Sequence, residues 1–184
     1  MNKEPTNLDY LLEQSIDLDY RCAILNGEVS EEMVKKFMID ILALAKDPQP
    51  ITLLINSWGG SEMDGYAIFD MIKSVPNTTI GVVVGQAMST ASIILQACTH
   101  RVIMPNSWIM VHAGSTALDD HSINVEVEGE QIKKLRMKMI SIYAERSGHR
   151  KSDWNRWTKF NKYYNAEEAL KIGLVDKIGF QFKG

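Results

Sequence analysis

A serine, a histidine and a pair of glycines occupy points of this chain where acyl-transfer chemistry could be assembled. Ser89 lies in Gly85-Gln86-Ala87-Met88-Ser89-Thr90-Ala91-Ser92, between the β-branched run Thr79-Ile80-Gly81-Val82-Val83-Val84 and the apolar stretch Ser92-Ile93-Ile94-Leu95-Gln96-Ala97. A short β-branched run bounded by turn residues reads as a strand, and the stretch after it reads as a buried helix. Ser89 therefore falls at a helix start. Unpaired backbone N–H groups and the positive end of the helix dipole converge there, and both stabilise the oxyanion formed when a serine attacks a carbonyl. A plain N-cap serine would occupy the same place, since serine is among the favoured caps, so Ser89 alone does not separate the two roles.

Two further segments favour the chemistry. Ile55-Asn56-Ser57-Trp58-Gly59-Gly60-Ser61 follows the apolar strand Ile51-Thr52-Leu53-Leu54-Ile55 and precedes a helical pattern at Tyr66, Ile68, Met71 and Ile72. Paired glycines permit close backbone approach, so the Gly60 N–H can point into a cleft beside the Thr90 N–H, and two such donors make an oxyanion hole. Glycine pairs also mark ordinary strand-to-helix turns. The second segment, Arg101 to His112, reads as two apolar runs around the turn Pro105-Asn106-Ser107 and ends in a histidine. His100, His121 and His149 lie in polar or turn contexts, whereas His112 closes an apolar strand. A serine beside a prepared oxyanion site needs a base of near-neutral pKa, and His112 is the candidate.

The elements that must position these groups alternate along the chain. Cys22-Ala23-Ile24-Leu25 leads through Asn26-Gly27 to a capped helix at Ser30-Glu31-Glu32, in which Met33, Val34, Phe37, Met38, Ile41 and Leu42 recur at helical spacing. That stripe reads as core packing, and the helix should end near Lys46, before Asp47-Pro48. A long helix from about Glu128 to Arg146 carries Ile132, Leu135, Met139 and Ile142 on one face, with Gly148 as its stop. Ser152 reads as the N-cap of a further helix with Asp153 in its first turn. Asn7 to Leu12 could form a short helix. Such β-α alternation argues for an α/β fold with a mainly parallel sheet covered by helices. Ligand sites in such sheets lie at strand C-terminal ends, where Gly60, Ser89 and His112 fall.

The three segments, in this order, resemble the proteolytic subunit family of the Clp proteases, serine peptidases of the Clp/crotonase fold. Asn56-Ser57-Trp58-Gly59-Gly60-Ser61 is similar to the family's Asn-Ser-Pro-Gly-Gly-Ser. Gly85 to Ser89 is similar to its nucleophile segment, Pro105 to His112 to its histidine segment, and Gly173-Leu174-Val175-Asp176 to its closing motif. The resemblance spans about Cys22 to Asp176. It implies repeated β-β-α units in one domain over residues 1–184, with an N-terminal segment over 1–20 and a protruding strand-helix handle over about 113–148. It also implies Ser89 as nucleophile, His112 as base, Gly60 and Thr90 as oxyanion donors, and peptides or unfolded proteins as substrates. Family members assemble as heptameric rings stacked into a tetradecamer and work with a Clp-type ATPase unfoldase, so both are expected partners here.

Several positions depart from the family pattern. Its third triad residue is an aspartate, and the equivalent segment Lys159-Phe160-Asn161-Lys162-Tyr163-Tyr164-Asn165-Ala166 places Asn161 there. An asparagine carbonyl can accept the imidazole N–H but supplies no negative charge. Asp153 is the nearest upstream carboxylate, though its expected place in a helical first turn argues against substitution. Phe160 replaces a basic residue that helps join the rings, and Ser115 to Ser122, with Asp119 and Asp120, lacks the glycines usual before the handle helix. Three rival readings follow: a weak or inactive subunit that completes mixed rings, acyl-CoA chemistry on the shared crotonase fold, and a membrane-linked relative of signal-peptide peptidases. The Ser89-His112 pairing argues against the second, and the lack of an anchor or an obvious catalytic lysine argues against the third.

Composition narrows the class further. The 184 residues suit one domain with a sizeable core, and a net charge of -3 with dispersed Lys and Arg offers no basic stripe for nucleic acid. Cys22 and Cys98 lie in apolar runs without metal or redox spacing and read as reduced core thiols. No stretch approaches the roughly 18 apolar residues that span a membrane. Nothing resembles a phosphate-binding glycine loop with lysine, so any ATP use would belong to a partner. The expectation is a cytoplasmic serine peptidase subunit needing neither cofactor nor metal.

Overall fold

The computed structural model describes residues 16–114 and 122–182. The expected helix at Asn7 to Leu12 and the acidic turn at Asp119 and Asp120 lie outside them. Among the described residues eight strands and six helices run in the order β1 (Ile16–Asp17), β2 (Cys22–Val29), α1 (Glu31–Leu44), β3 (Ile51–Gly60), α2 (Glu62–Ser74), β4 (Thr79–Met88), α3 (Thr90–Ala97), β5 (His100–Ile103), β6 (Trp108–Val111), α4 (Ser122–Ser147), α5 (Lys151–Trp157), β7 (Lys162–Tyr164), α6 (Ala166–Lys171) and β8 (Lys177–Ile178). Strands β2, β3, β4, β5 and β8 are parallel neighbours, with β1 antiparallel at the β2 edge.

The fork in β4 sets the geometry of everything beyond it. Its first half pairs with β5, from Ile80 opposite His100 to Val83 opposite Ile103. Its second half pairs with β6, from Gln86 opposite Trp108 to Met88 opposite Met110. Ser107 holds the fork open, its hydroxyl accepting the Gly85 N–H at 2.8 Å and donating to the Val83 carbonyl at 3.1 Å. Strands β3 and β4 thus run further than their β-branched runs predict, and both chemical motifs end strands instead of forming loops.

Local signals explain most element ends. Ser30 caps α1, accepting the Met33 N–H, and of the expected stripe Val34, Phe37 and Ile41 are buried and Met33 and Met38 partly so, whereas Leu42 is exposed and Leu44 takes the last core position. That helix ends at Leu44, short of Lys46, because the Arg21 guanidinium reaches across and takes its C-terminal carbonyls, donating to Leu44 O at 2.6 Å and to Asp47 O at 3.1 Å. Helix α4 stops where expected, at Gly148, whose φ of 75° only glycine adopts freely and whose N–H returns to Ala144 O at 3.0 Å. Ser152 is not a cap. Arg150 occupies the N-cap position of α5 and Ser152 lies inside the first turn, because the fully buried Trp154 fixes where the helix must start.

Helices α2 and α3 approach closely at Gly65. A Cβ on Gly65 would fall 2.0 Å from Thr90 Cγ2, so the glycine lets the start of α3 lie against α2. Cys22 and Cys98 are free and buried.

The closing motif is fastened to β5 by a buried arginine. Arg101, 5 % exposed at its side chain, donates to both oxygens of Asp176, to Gln96 Oε1 at 2.7 Å and to the Gly173 carbonyl at 2.9 Å. Burial raises the Asp176 pKa, but the Arg101 hydrogen bonds and charge outweigh it and hold the carboxyl below its ordinary value of 3.8. The ion pair therefore stabilises the fold above that value and loses its contribution as pH falls through the lower folded pKa. Removing one partner of a mostly buried pair strands the other, at a cost of about 3 kcal/mol, reduced to about 2 by the exposure of Asp176. Asp176→Asn is expected to lower unfolding free energy in urea by about 2 kcal/mol at pH 7, with the gap to wild type closing below about pH 4.

Candidate active site

Ser89 sits where β4 becomes α3, with φ 52° and ψ -124°. Left-handed φ is costly for a residue with a Cβ, and neighbours on several sides over-determine it. The Ser89 N–H donates to Met110 O at 2.8 Å, extending the β4-β6 ladder, and its carbonyl accepts the Ser92 hydroxyl at 2.6 Å. The Ser92 hydroxyl also meets the Tyr143 hydroxyl at 2.6 Å, tying the elbow to α4. The Ser89 hydroxyl makes no capping bond to α3. It faces His112 instead, with Oγ 2.7 Å from Nε2. The plain capping role is not the one this side chain takes.

The glycine pair packs against this elbow. A Cβ on Gly59 would lie 2.8 Å from Ser89 Cβ and 3.1 Å from Thr90 N, and one on Gly60 would collide with Val29 O at 2.3 Å. The Thr90 hydroxyl donates to Gly60 O at 3.1 Å, so the two expected oxyanion residues are bonded neighbours.

His112 directly follows β6, and the antiparallel register of β6 with β7 sets Val111 opposite Lys162. One step beyond both strand ends, Asn161 comes opposite His112, near enough for its side chain to favour the protonated imidazole. Asp153 is elsewhere, held on α5 by Arg150 at 3.1 Å and Arg156 at 3.4 Å. His149 packs edge-on against Trp157 with ring centres 5.1 Å apart, remote from the serine's partners.

A cavity of about 410 Å³ opens beside Ser89 and His112, with Gly60 and Thr90 at its mouth and Ile93, Leu135 and Met139 on its apolar wall. Glu62 and Arg136 add two charges that sequence reasoning did not assign to the site. Glu62 accepts from the Tyr66 hydroxyl at 3.2 Å, and Arg136 donates to Asn155 Oδ1 at 3.0 Å. Gly59 was the other omission, and its pairing with Gly60 was the available signal. Among the described residues no group of three or more His, Cys, Asp or Glu could hold a metal ion, and no helix is long and apolar enough to cross a membrane.

Known proteins share this arrangement of chain. The sequence model of the Clp protease family matches residues 12–182. ATP-dependent Clp protease proteolytic subunit 2 of Treponema denticola is 34% identical over 182 residues, covering 96% of this chain and 90% of its own length. Proteolytic subunit 3 of Rhodococcus jostii is 32% identical over 172 residues, covering 88% and 82%. Among solved structures, an asparagine-to-aspartate mutant of ClpP1 from Listeria monocytogenes superposes with a TM-score of 0.82 at 27% identity, covering 89% of this chain and 93% of that one. The fold expectation is met.

Burial lowers the His112 pKa from 6.5, and the hydrogen bond with Asn161 opposes this without cancelling it. The imidazole is therefore neutral at pH 7 and able to accept a proton from Ser89. A carboxylate in place of the amide would favour the imidazolium and raise that pKa by about one unit or more. Labelling of Ser89 by a fluorophosphonate is expected to fall off on the acid side with a midpoint below 6.5, and Asn161→Asp is expected to move the midpoint upward. An unmoved midpoint would detach Asn161 from the base.

Proposed function

The chain belongs to the Clp protease family, and from that premise we propose that it is a serine endopeptidase subunit working through Ser89, His112 and Asn161. The observation that carries this reading is the 2.7 Å approach of Ser89 Oγ to His112 Nε2 on a strained strand-to-helix elbow. For Ser89 to donate to Nε2, the imidazole must hold its own proton on Nδ1, and the Asn161 carbonyl oxygen is the acceptor that keeps it there. Ser89 Oγ then attacks the scissile carbonyl as its proton passes to His112. The oxygen that gains charge faces the Gly60 and Thr90 N–H groups. Collapse of the tetrahedral intermediate breaks the C–N bond, His112 returns the proton to the leaving amine, and water releases the acyl group by the same steps in reverse roles.

The Treponema and Rhodococcus relatives are ATP-dependent Clp protease proteolytic subunits. By that likeness the working form is a set of heptameric rings, stacked as a tetradecamer, in the cytoplasm. An ATPase unfoldase of the Clp type would feed polypeptide to it. Phe160, 75% exposed at the position of the family's ring-joining basic residue, is a surface that a second ring would cover.

A second reading rests on Asn161. An amide orients the imidazole but cannot stabilise its charged form, and in the serine-protease template the aspartate-to-asparagine change costs about 10⁴-fold in turnover. A subunit so weakened would complete or regulate mixed rings with an active paralogue. Hydrolysis of a short fluorogenic peptide, with assembly followed by native mass spectrometry, decides between the two. Turnover by wild type that falls at least about 10³-fold in Ser89→Ala is expected for the enzyme. An intact oligomer without turnover, activated by Asn161→Asp, would replace it with the second reading.

A further inference from the structure

Away from Ser89, between β2 and α1, lies a second cavity of about 410 Å³, lined by Ile24, Asn26, Glu28, Lys36, Phe37 and Asp40. Asp40 is its unusual member. It is 3% exposed, and its Oδ1 is buried with no hydrogen-bond partner among the described residues. An unpaired buried carboxylate is costly, and natural folds pair such groups or keep them neutral. Burial pushes the Asp40 pKa up to about 7, with the Lys36 charge opposing only in part. Lys36 is itself engaged by Glu32 at 3.4 Å, and Glu28 and Glu32 leave the groove with more negative than positive charge. The groove is therefore complementary in charge to a cationic side chain.

The groove is continuous with an open face of the sheet. Its lining residues Ile24 and Asn26 belong to the solvent side of β2, and the same side stays exposed at Asn56, Trp58, Val84 and Trp108. Parallel strands are normally covered on both faces, and Trp58 and Trp108 remain 57% and 45% exposed. A closed ring uses a heterologous contact, in which a recess on one surface receives a different surface of the next copy. We propose that the β2-α1 groove is an inter-subunit socket in which a lysine or arginine of a neighbouring copy of this chain pairs with Asp40. This rests on the reading of the chain as a ring-forming subunit.

The pairing gives Asp40 opposite effects on folding and on assembly. Asp40→Asn keeps the shape of the side chain and removes the charge. In the dissociated protomer the variant is expected to melt at the same temperature as wild type or higher, since a buried charge is gone. In the assembly the neighbour's cation loses its partner, so half-dissociation on dilution, followed by sedimentation or native mass spectrometry, is expected at a protein concentration at least about tenfold higher. Asp40→Leu, which removes hydrogen bonding as well, is expected to shift it at least as far. Unchanged assembly in both variants would overturn the socket while leaving the ring and peptidase readings standing. A lower protomer melting temperature with proportionate loss of assembly would also overturn it, by assigning Asp40 a packing role. A wild type that stays monomeric at every concentration would overturn the socket and the ring together.

Discussion

The backbone of Ser89 is held at φ 52°, a region that costs a residue with a Cβ on the order of 1–3 kcal/mol. Nothing in the serine itself favours that conformation. It persists because β4 continues into a hydrogen bond with Met110, because Ser92 and Tyr143 anchor the carbonyl behind it, and because Gly59 leaves room in front. Each support is drawn from a different part of the chain: β6, α3, α4 and the end of β3. The elbow is thus a property of the whole sheet, and the forked β4 is the element that makes it. Were β4 not paired with β6 from Gln86 opposite Trp108 onward, the Met110 carbonyl would not stand opposite the Ser89 N–H.

The same fork positions the imidazole. His112 follows β6 by one residue, so the register that positions Met110 against Ser89 also brings the imidazole over the hydroxyl. On the far side of β6, the short strand β7 carries Asn161 to the same level. Three residues far apart in sequence are thereby aligned by two strand pairings. Neither the serine, the histidine nor the asparagine needs a loop to find the others. A site built on strand ends has less freedom to misplace its groups than one built on loops.

How much of this was legible in the sequence follows from what each signal measures. Ser30, Gly148 and the α1 stripe were readable because a cap, a C-terminal glycine and an amphipathic period are local. The end of α1 at Leu44 was not, because it depends on Arg21, which joins the helix end only after β1 and β2 pair. Ser152 misled for a related reason, since the burial of Trp154 overrides cap preference. In the site, Ser89, His112 and Gly60 could be singled out by where they stand relative to apolar runs. Gly59 carried a signal in its pairing with Gly60 that was not used, whereas Glu62 and Arg136 could not be found, because they line the cavity through contacts across elements that no spacing records. Asn161 was found through resemblance, and the β6-β7 register supplies the geometric reason that it lies beside His112.

Two buried ionisable side chains, one basic and one acidic, show how this fold treats charge. Arg101 is enclosed among Asp176, Gln96 and the Gly173 carbonyl, so its desolvation is offset by hydrogen bonds inside one chain. Asp40 has no such enclosure, and its carboxyl drifts toward neutrality in response. A sequence selected only for the stability of the isolated protomer has an inexpensive alternative at Asp40, because an apolar or amide side chain of similar volume would fill the same groove without the desolvation cost. The acid therefore makes more physical sense in a state where the groove is filled. The open sheet face beside it exposes two tryptophans, Trp58 and Trp108, whose apolar surface such a state would bury. On this argument the groove between β2 and α1 leaves a buried charge uncompensated, whereas the Ser89 elbow is held by hydrogen bonds from within the chain.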